Sequence, residues 1–318
     1  GDEKFMNLEE EKSKRFDVKP RNMSNTINFT GCVIEKGIGG YNLTQESYTD
    51  KLEKLSKDEW TPKKFASVRG KLNWLSTYSR PDISFMVATL SQRKVTELKE
   101  EDYKLLNSVI THVKKYRLSL HFPKLDISTI KICGYSDAAF ANNQDHSSQL
   151  GFVVTLCDDK GRCSVVHYAS WKCRRITRSV LAAEVHAFSS SFDFCYTLQS
   201  DLMKITGKQF PILMFTDSKC LFDSITRLTS LTEKRLLIDI AALRQSYTRG
   251  ELFNIGHVSS NYNLADPLTK RTRSTLLETA MTEGKLVHPV NQWIVHNSDI
   301  KRSEKDVLVK EKSVSVVN

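Results

Sequence analysis

Ile130-Lys131-Ile132-Cys133-Gly134-Tyr135-Ser136-Asp137 is the stretch on which the reading of this chain turns. It is a short β-rich run that ends on an acid, and a carboxylate at the end of a strand can be held rigidly at the edge of a sheet. Leu150 to Leu156 and Ser164 to Ser170 follow as similar runs, and Ile212 to Thr216 and Leu252 to Val258 come later. Helical segments are interleaved with them, Ser179 to Lys204 and about Thr232 to Tyr247, the second with Leu236, Ile240, Leu243 and Tyr247 along one face. Three strands joined by short turns, then helix, strand, helix, strand and helix, predict an α/β layered sheet.

Upstream the pattern is different. Residues 1 to about 20 are charged, with Leu8, Lys12 and Phe16 at near-helical spacing, and Pro20 closes what reads as the end of a helix. Phe29 to Glu35 and Gly40 to Leu43 flank a Gly37-Ile38-Gly39-Gly40 turn and read as a β-hairpin. The hairpin is favoured over a phosphate loop there, since neither GxGxxG nor Gly-Lys-Ser/Thr follows. Thr44-Gln45-Glu46 opens a short helix through Leu55, and Pro62 precedes a longer one from Lys64 to about Tyr78. After the Arg80-Pro81-Asp82 break, Ile83 to Gln92 and Glu100 to Tyr116 continue with apolar residues at spacings of three and four. Residues 44 to 122 therefore predict a helical subdomain, and the stretch from about 299, without aromatics, predicts a frayed tail.

Composition sets limits on function. The chain has 318 residues, 40% of them hydrophobic, which supports a packed core and about two domains. A net charge of +10 is compatible with a polyanionic partner, as it is with a solvated basic surface. Seven cysteines without a CxxC pair point to neither a disulfide framework nor a zinc site, and predict reduced thiols. The start lacks a secretory pattern and no stretch approaches about 18 uninterrupted apolar residues. These features predict an intracellular protein, cytoplasmic or nuclear, without a membrane partner.

Four acids stand in contexts that suggest chemistry. Asp137 ends its strand, Glu184 lies in Leu181-Ala182-Ala183-Glu184-Val185 early in a helix, Asp217 follows Ile212 to Thr216, and Asp266 lies in Asn263-Leu264-Ala265-Asp266-Pro267. Singly each has an ordinary alternative: a solvent-facing glutamate for Glu184, and a helix cap for Asp217 and Asp266. Gathered together, carboxylates repel one another unless cations occupy the site. Two Mg²⁺ ions about 3.5–4 Å apart would use several such oxygens to activate a water and stabilise the leaving oxygen of a phosphodiester. Basic residues close to the acids, Lys172, Arg174, Arg175 and Arg178 with Trp171 beside them, are candidates for phosphate contacts and base stacking, or else form a solvated charge run. Asp158-Asp159 mimics a polymerase centre, but Asp159-Lys160-Gly161 reads as a tight hairpin turn.

These motifs, in this order, resemble the C-terminal part of the Pol polyprotein of copia-type LTR retrotransposons. Gly134-Tyr135-Ser136-Asp137-Ala138 is similar to the first ribonuclease H motif of that family, and Ser147 to Phe152 to the strand after it. Ala169-Ser170-Trp171-Lys172, Ala183-Glu184 and Thr216-Asp217-Ser218 resemble the next landmarks, and Asn263 to Lys270 is the most specific match. Val68 to Leu75 and Arg80-Pro81-Asp82-Ile83 resemble the segment between polymerase and ribonuclease H, and Phe29 to Leu55 the end of the polymerase palm.

The resemblance implies a ribonuclease H-like mixed five-stranded sheet with flanking helices, preceded by a smaller, mostly helical region. It divides the chain into 1–124, a remnant of the palm end, thumb and connection; 125–282, a ribonuclease H-like domain; and 283–318, a partly disordered extension. It implies hydrolysis of the RNA strand of an RNA–DNA hybrid. Asp137, Glu184, Asp217 and Asp266 would be the catalytic metal ligands, for two Mg²⁺ with Mn²⁺ as a substitute. The polymerase Asp-Asp motif would precede residue 1, so no DNA synthesis is expected from this chain alone, and the missing polymerase portion is an expected partner. Ala139 and Ala182 stand where family members carry further acids. His257 ends a strand and reads as structural. A non-cutting, nucleic-acid-binding remnant is the alternative function.

Overall fold

Thr30 and Gly31 both take positive φ, 47° and 77°, which is what a two-residue hairpin turn requires. They join β1 (Thr26–Phe29) to β2 (Cys32–Gly37), and Ile38-Gly39 joins β2 to β3 (Gly40–Thr44). The glycine run is thus a turn between paired strands. The sequence reading placed Thr30-Gly31 inside one strand, because a β-branched threonine conceals a turn whose signature is backbone sign. The computed structural model describes residues 26–226, 233–286, 289–294 and 309–316, and the helix end read in residues 1–20 lies outside them.

Four helices follow: α1 (Glu46–Asp50), α2 (Pro62–Tyr78), α3 (Ser84–Ser91) and α4 (Glu100–Lys115). α1 is shorter than expected, and the chain beyond it is irregular, which lets both Leu52 and Leu55 reach the core. α2 begins cleanly because the Thr61 hydroxyl accepts from the Lys64 amide and Pro62 sits where no amide donor is needed. Arg80-Pro81 separates α2 from α3. α4 places Glu100, Glu101 and Asp102 in its first turn and His112, Lys114 and Lys115 in its last, which suits the helix dipole. Leu72, Leu75, Val87, Leu106, Ile110 and Val113 close one apolar core between these helices. β4 (Leu120–Pro123) then returns to pair with β3, completing an antiparallel sheet of four strands.

The second sheet begins with β5 (Lys131–Ala139), β6 (Gln149–Cys157) and β7 (Cys163–Lys172), an antiparallel meander. Asp158, the suspected polymerase mimic, sits in the β6–β7 turn, where its amide donates to Arg162 O and its carboxylate accepts from Arg162 Nε at 2.8 Å. The chain crosses the sheet through α5 (Val180–Thr206), adds β8 (Ile212–Thr216) parallel to β5, passes through α6 (Lys219–Thr226) and α7 (Leu237–Thr248), and adds β9 (Asn254–His257) parallel to β8. The order β9-β8-β5-β6-β7 is a mixed five-stranded sheet with flanking helices, the architecture expected from the sequence. After α8 (Thr275–Thr282), β10 (Pro289–Ile294) and β11 (Val309–Val316) extend the sheet beyond β9 to seven strands. Val309–Val316 therefore differs from the frayed tail read there: its β-branched Val309, Val314 and Val316 suit an edge strand.

One face of the sheet carries Ile132, Phe152, Val154 and Met214 against Val185, Phe188 and Phe192 of α5 and Ile240 and Leu243 of α7. The other carries Cys133, Tyr135, Val153 and Phe215 against Leu264, Leu268, Leu277 and Met281. Each such side chain contributes about 1.5–3 kcal/mol by leaving water. Gly134 lets α5 lie close, since a Cβ there would stand 2.5 Å from Met214 Sδ and 2.9 Å from Cys195 Sγ. All seven cysteines are free thiols, six of them buried, as their spacing suggested. Among the described residues no helix is long and apolar enough to cross a membrane.

Candidate active site

The register of two parallel strands brings the first acids together. Tyr135 pairs with Phe215, so two residues further on Asp137 stands beside Asp217 at the same end of neighbouring strands. Asp266 opens a short helical turn, Asp266–Leu268, that folds over this end. One carboxylate oxygen from each of Asp137, Asp217 and Asp266 lies within 4.8 Å of the others. Glu184 approaches from the first turns of α5, is 5% exposed, and accepts from the Ala138 amide, while its Oε2 has no hydrogen-bond partner. Three of the four predicted acids thus form a tight group and the fourth adjoins it.

The capping alternatives do not describe this geometry. Ser218, not Asp217, caps α6 by accepting from the Leu221 amide at 3.3 Å, and Thr216 Oγ1 accepts from the Ser218 amide. No side-chain cap bond is made at the turn that Asp266 opens. Asp217 Oδ1 instead accepts from Asn263 Nδ2 at 3.1 Å, and the same nitrogen donates to Ser136 O at 2.9 Å. Thr269 Oγ1, fully buried, donates to Asp137 Oδ2. Lys270 Nζ donates to Asp266 Oδ1 and lies 3.8 Å from Asp137 Oδ2. Asn263, Thr269 and Lys270 all belong to the closing motif of the sequence, but their roles were not legible there. For Asn263 and Thr269 the signal was a polar residue type at a position the fold buries, whereas Lys270 is exposed.

Electrostatics carry the mark of this crowding. Burial, then the charge of Asp217, pushes the Asp137 carboxyl up to about 6 despite the Thr269 bond. Burial, then Asp137 and Asp217, holds Glu184 well above the usual carboxylate range. Burial favours a neutral Lys270, but the bond to Asp266 and the field of Asp137 outweigh it and keep its ammonium charged to higher pH than usual. Four carboxylates face one ammonium, and a buried Glu184 oxygen lacks a donor. An all-oxygen set with surplus negative charge fits a hard divalent cation such as Mg²⁺ or Mn²⁺, which would be held by Asp137, Asp217 and Asp266 with Glu184 adjoining.

The predicted basic residues are placed less uniformly. Lys172 is paired with Asp145. Trp171 is half-buried and meets Phe152 edge-on at 5.5 Å, so its ring serves the core more than an open stacking surface. Arg174, Arg175 and Arg178 are exposed, and among the described residues none of them makes an ion pair. Trp171, Lys172, Arg174 and Arg175 line an open groove of about 930 Å³ together with Asn73, Thr77 and Gln92 of the helical region. Arg178 is not among its walls. His257 Nε2 donates to Asp217 O at 3.2 Å, and burial lowers its basicity.

No family model matches the chain, and no curated protein does. Among solved structures, a ribonuclease H1 isolated from compost by a metagenomic approach is 19% identical, with 43% of this chain and 91% of that chain covered at a TM-score of 0.34. The same enzyme in complex with an RNA/DNA hybrid aligns over 45% and 96%, again at 0.34. The protease-reverse transcriptase of prototype foamy virus is 16% identical over 47% of this chain and 21% of that chain, at 0.31.

Proposed function

We propose that this chain is a ribonuclease H that hydrolyses the RNA strand of RNA–DNA hybrids, derived from a copia-type LTR retrotransposon. The observation that carries the reading is the trio Asp137, Asp217 and Asp266 within 4.8 Å, joined by a buried and under-bonded Glu184. The retroelement source rests on the ordered motifs from Val68 to Lys270. On this reading residues up to about 124 are the remnant of a polymerase and 125–282 are the nuclease, which would work beside the polymerase portion of the same polyprotein inside the cell.

Two bound Mg²⁺ would supply Lewis-acid activation of water and neutralisation of the leaving oxygen. The chain's own contribution is to orient. Thr269 fixes one oxygen of Asp137 and Asn263 fixes one of Asp217, so these carboxylates are set before any ligand arrives. Lys270 offsets part of the acid charge without consuming all of it. Arg174, Arg175 and Arg178 offer charge for backbone phosphates, and Trp171 and Lys172 end the sheet strand just before them. Contacts to 2′-hydroxyls in the minor groove would select RNA.

A labelled hybrid incubated with Mg²⁺ tests this. Wild type should cut the RNA strand, and Asp217→Asn should lose about a hundred- to a thousandfold in rate, because it removes a carboxylate ligand of the cation that would activate the water. Cleavage by Asp217→Asn at the wild-type rate sinks the assignment. Salt-sensitive hybrid binding by wild type without any Mg²⁺-dependent cleavage would instead mark a non-cutting remnant.

A further inference from the structure

A line of hydrogen bonds runs from the helical region into the acid site. Gln92, the residue after α3, donates from Nε2 to Gln149 Oε1 at 3.1 Å. Asn143 Nδ2 approaches the same oxygen at 3.4 Å. Gln149 Nε2 donates to Ser170 Oγ at 2.9 Å, and Ser170 Oγ donates to Leu268 O at 2.6 Å. The next residue, Thr269, donates to Asp137.

The direction of this line is fixed. Ser170 has one hydroxyl proton, and the Leu268 carbonyl can only accept, so the proton goes there. Ser170 must then accept from Gln149, which turns the Gln149 oxygen toward Gln92 and forces Gln92 to donate. Gln149 is fully buried, so a reversed amide would leave opposed acceptors away from water.

The sheet gives the line its reach. Asp137 pairs with Gly151, and Gly151 pairs with Ser170, so Asp137 and Ser170 occupy one row on one face. Between them a Cβ on Gly151 would stand 2.8 Å from Leu268 Cβ and 3.0 Å from Thr269 Cγ2. The Leu268-Thr269 run therefore lies on the sheet over the glycine. Thr269 engages Asp137 on one side while Ser170 anchors Leu268 on the other.

We propose that Gln149 and Ser170 are positioning residues of the acid site, and that Gln92 makes the helical region part of it. Resting on the nuclease reading above, this says that α3 sets the height of the Asp266–Lys270 run through the fixed polar line, and so sets how Asp137 and Asp266 face each other. The nuclease site is then a product of both regions.

Metal binding without substrate is the primary readout, with Mn²⁺ titrated into the full chain by calorimetry; hybrid cleavage is the second. Ser170→Ala should weaken Mn²⁺ binding about tenfold and lower kcat, with KM for the hybrid little changed. Ser170→Thr, which keeps the hydroxyl, should restore both. Gln92→Ala, at a partly exposed position, should act in the same direction by about two- to fivefold. Thr89→Ala alters the same helix at a hydroxyl that, among the described residues, bonds to Phe85 O alone, and should leave Mn²⁺ affinity as it is. Should wild type bind Mn²⁺ and cleave while Ser170→Ala and Gln92→Ala match it in both, the positioning role is overturned and the nuclease reading stands. Failure of wild type to bind Mn²⁺ or cut hybrid overturns both.

Discussion

Asp82 and Asp137 are both shielded from water, with 7% and 4% of their side chains exposed, yet the chain treats them in opposite ways. Asp82 receives two bonds from Arg80, at 2.8 and 2.7 Å, and one from His112 at 2.8 Å. Burial alone would raise its pKa, but the Arg80 and His112 bonds outweigh that and hold it below the usual carboxylate range. Asp137 has the Thr269 hydroxyl, a lysine at 3.8 Å, and Asp217 and Asp266 for neighbours with Glu184 adjoining, and its pKa rises. A buried acid whose charge the chain itself matches is structural. One whose charge is left unmatched costs stability in the folded protein, and persists where another cation is to supply the match. The helical region and the sheet thus use the same residue type for fold and for site.

The largest test of this contrast falls on its structural half. Asp82→Ala leaves Arg80 charged at 3% exposure, and should lower unfolding stability by about 3–5 kcal/mol in denaturant titration. A loss of a few tenths would show that Asp82 is not holding the region. On the other half, Mg²⁺ or Mn²⁺ at a hundredfold its dissociation constant should stabilise wild type by about 2.7 kcal/mol. Asp137→Asn should forfeit most of that gain, and absence of any cation effect on wild type would remove the distinction between the two acids. Gly151→Ala should cost about 1–3 kcal/mol by forcing Leu268-Thr269 off the sheet, with cleavage falling alongside.

How much of this contrast could be read before folding varies by residue. Ile130 to Asp137 and Ile212 to Asp217 announced two strands with an acid near the end, because apolar runs of that length are local signals. But β5 runs two residues past Asp137 to Ala139, since the small Ala138 and Ala139 continue the pairing with β6. That the two ends lie side by side depends on a parallel register set by the α5 crossover, which no local pattern encodes. Asn263 and Thr269 were visible as letters in a motif, but their bonds to Asp217 and Asp137 span 46 and 132 residues. Asp82 was read as part of a helix break, and its pairing with His112 crosses 30 residues. Thr30-Gly31 and Val309–Val316 were misread for a nearer reason: a turn's sign of φ and an edge strand's partner both lie outside residue type.

The finest test compares the pH dependence of wild type with that of Asp137→Asn, without metal. In the folded protein the Asp137 carboxyl titrates at about 6, against an ordinary value of 3.8. The folded state therefore holds the proton more tightly than the unfolded one, and between those values stability falls as pH rises. Below 3.8 both states are protonated and above about 6 both are ionised, so the whole cost is present at neutral pH. Asp137→Asn removes the ionisation and should be more stable than wild type by about 1–3 kcal/mol at pH 7. That margin should shrink toward pH 4.5. Asp82 gives the opposite sign: its contribution is complete above 3.8 and is lost as pH falls through its depressed value, so the two acids act in separate windows. With saturating Mg²⁺ the wild-type slope between pH 4.5 and 6.5 should flatten, because the cation matches the charge that the fold leaves open. If the margin stays constant with pH, Asp137 does not carry the unmatched charge, and its difference from Asp82 is one of geometry alone.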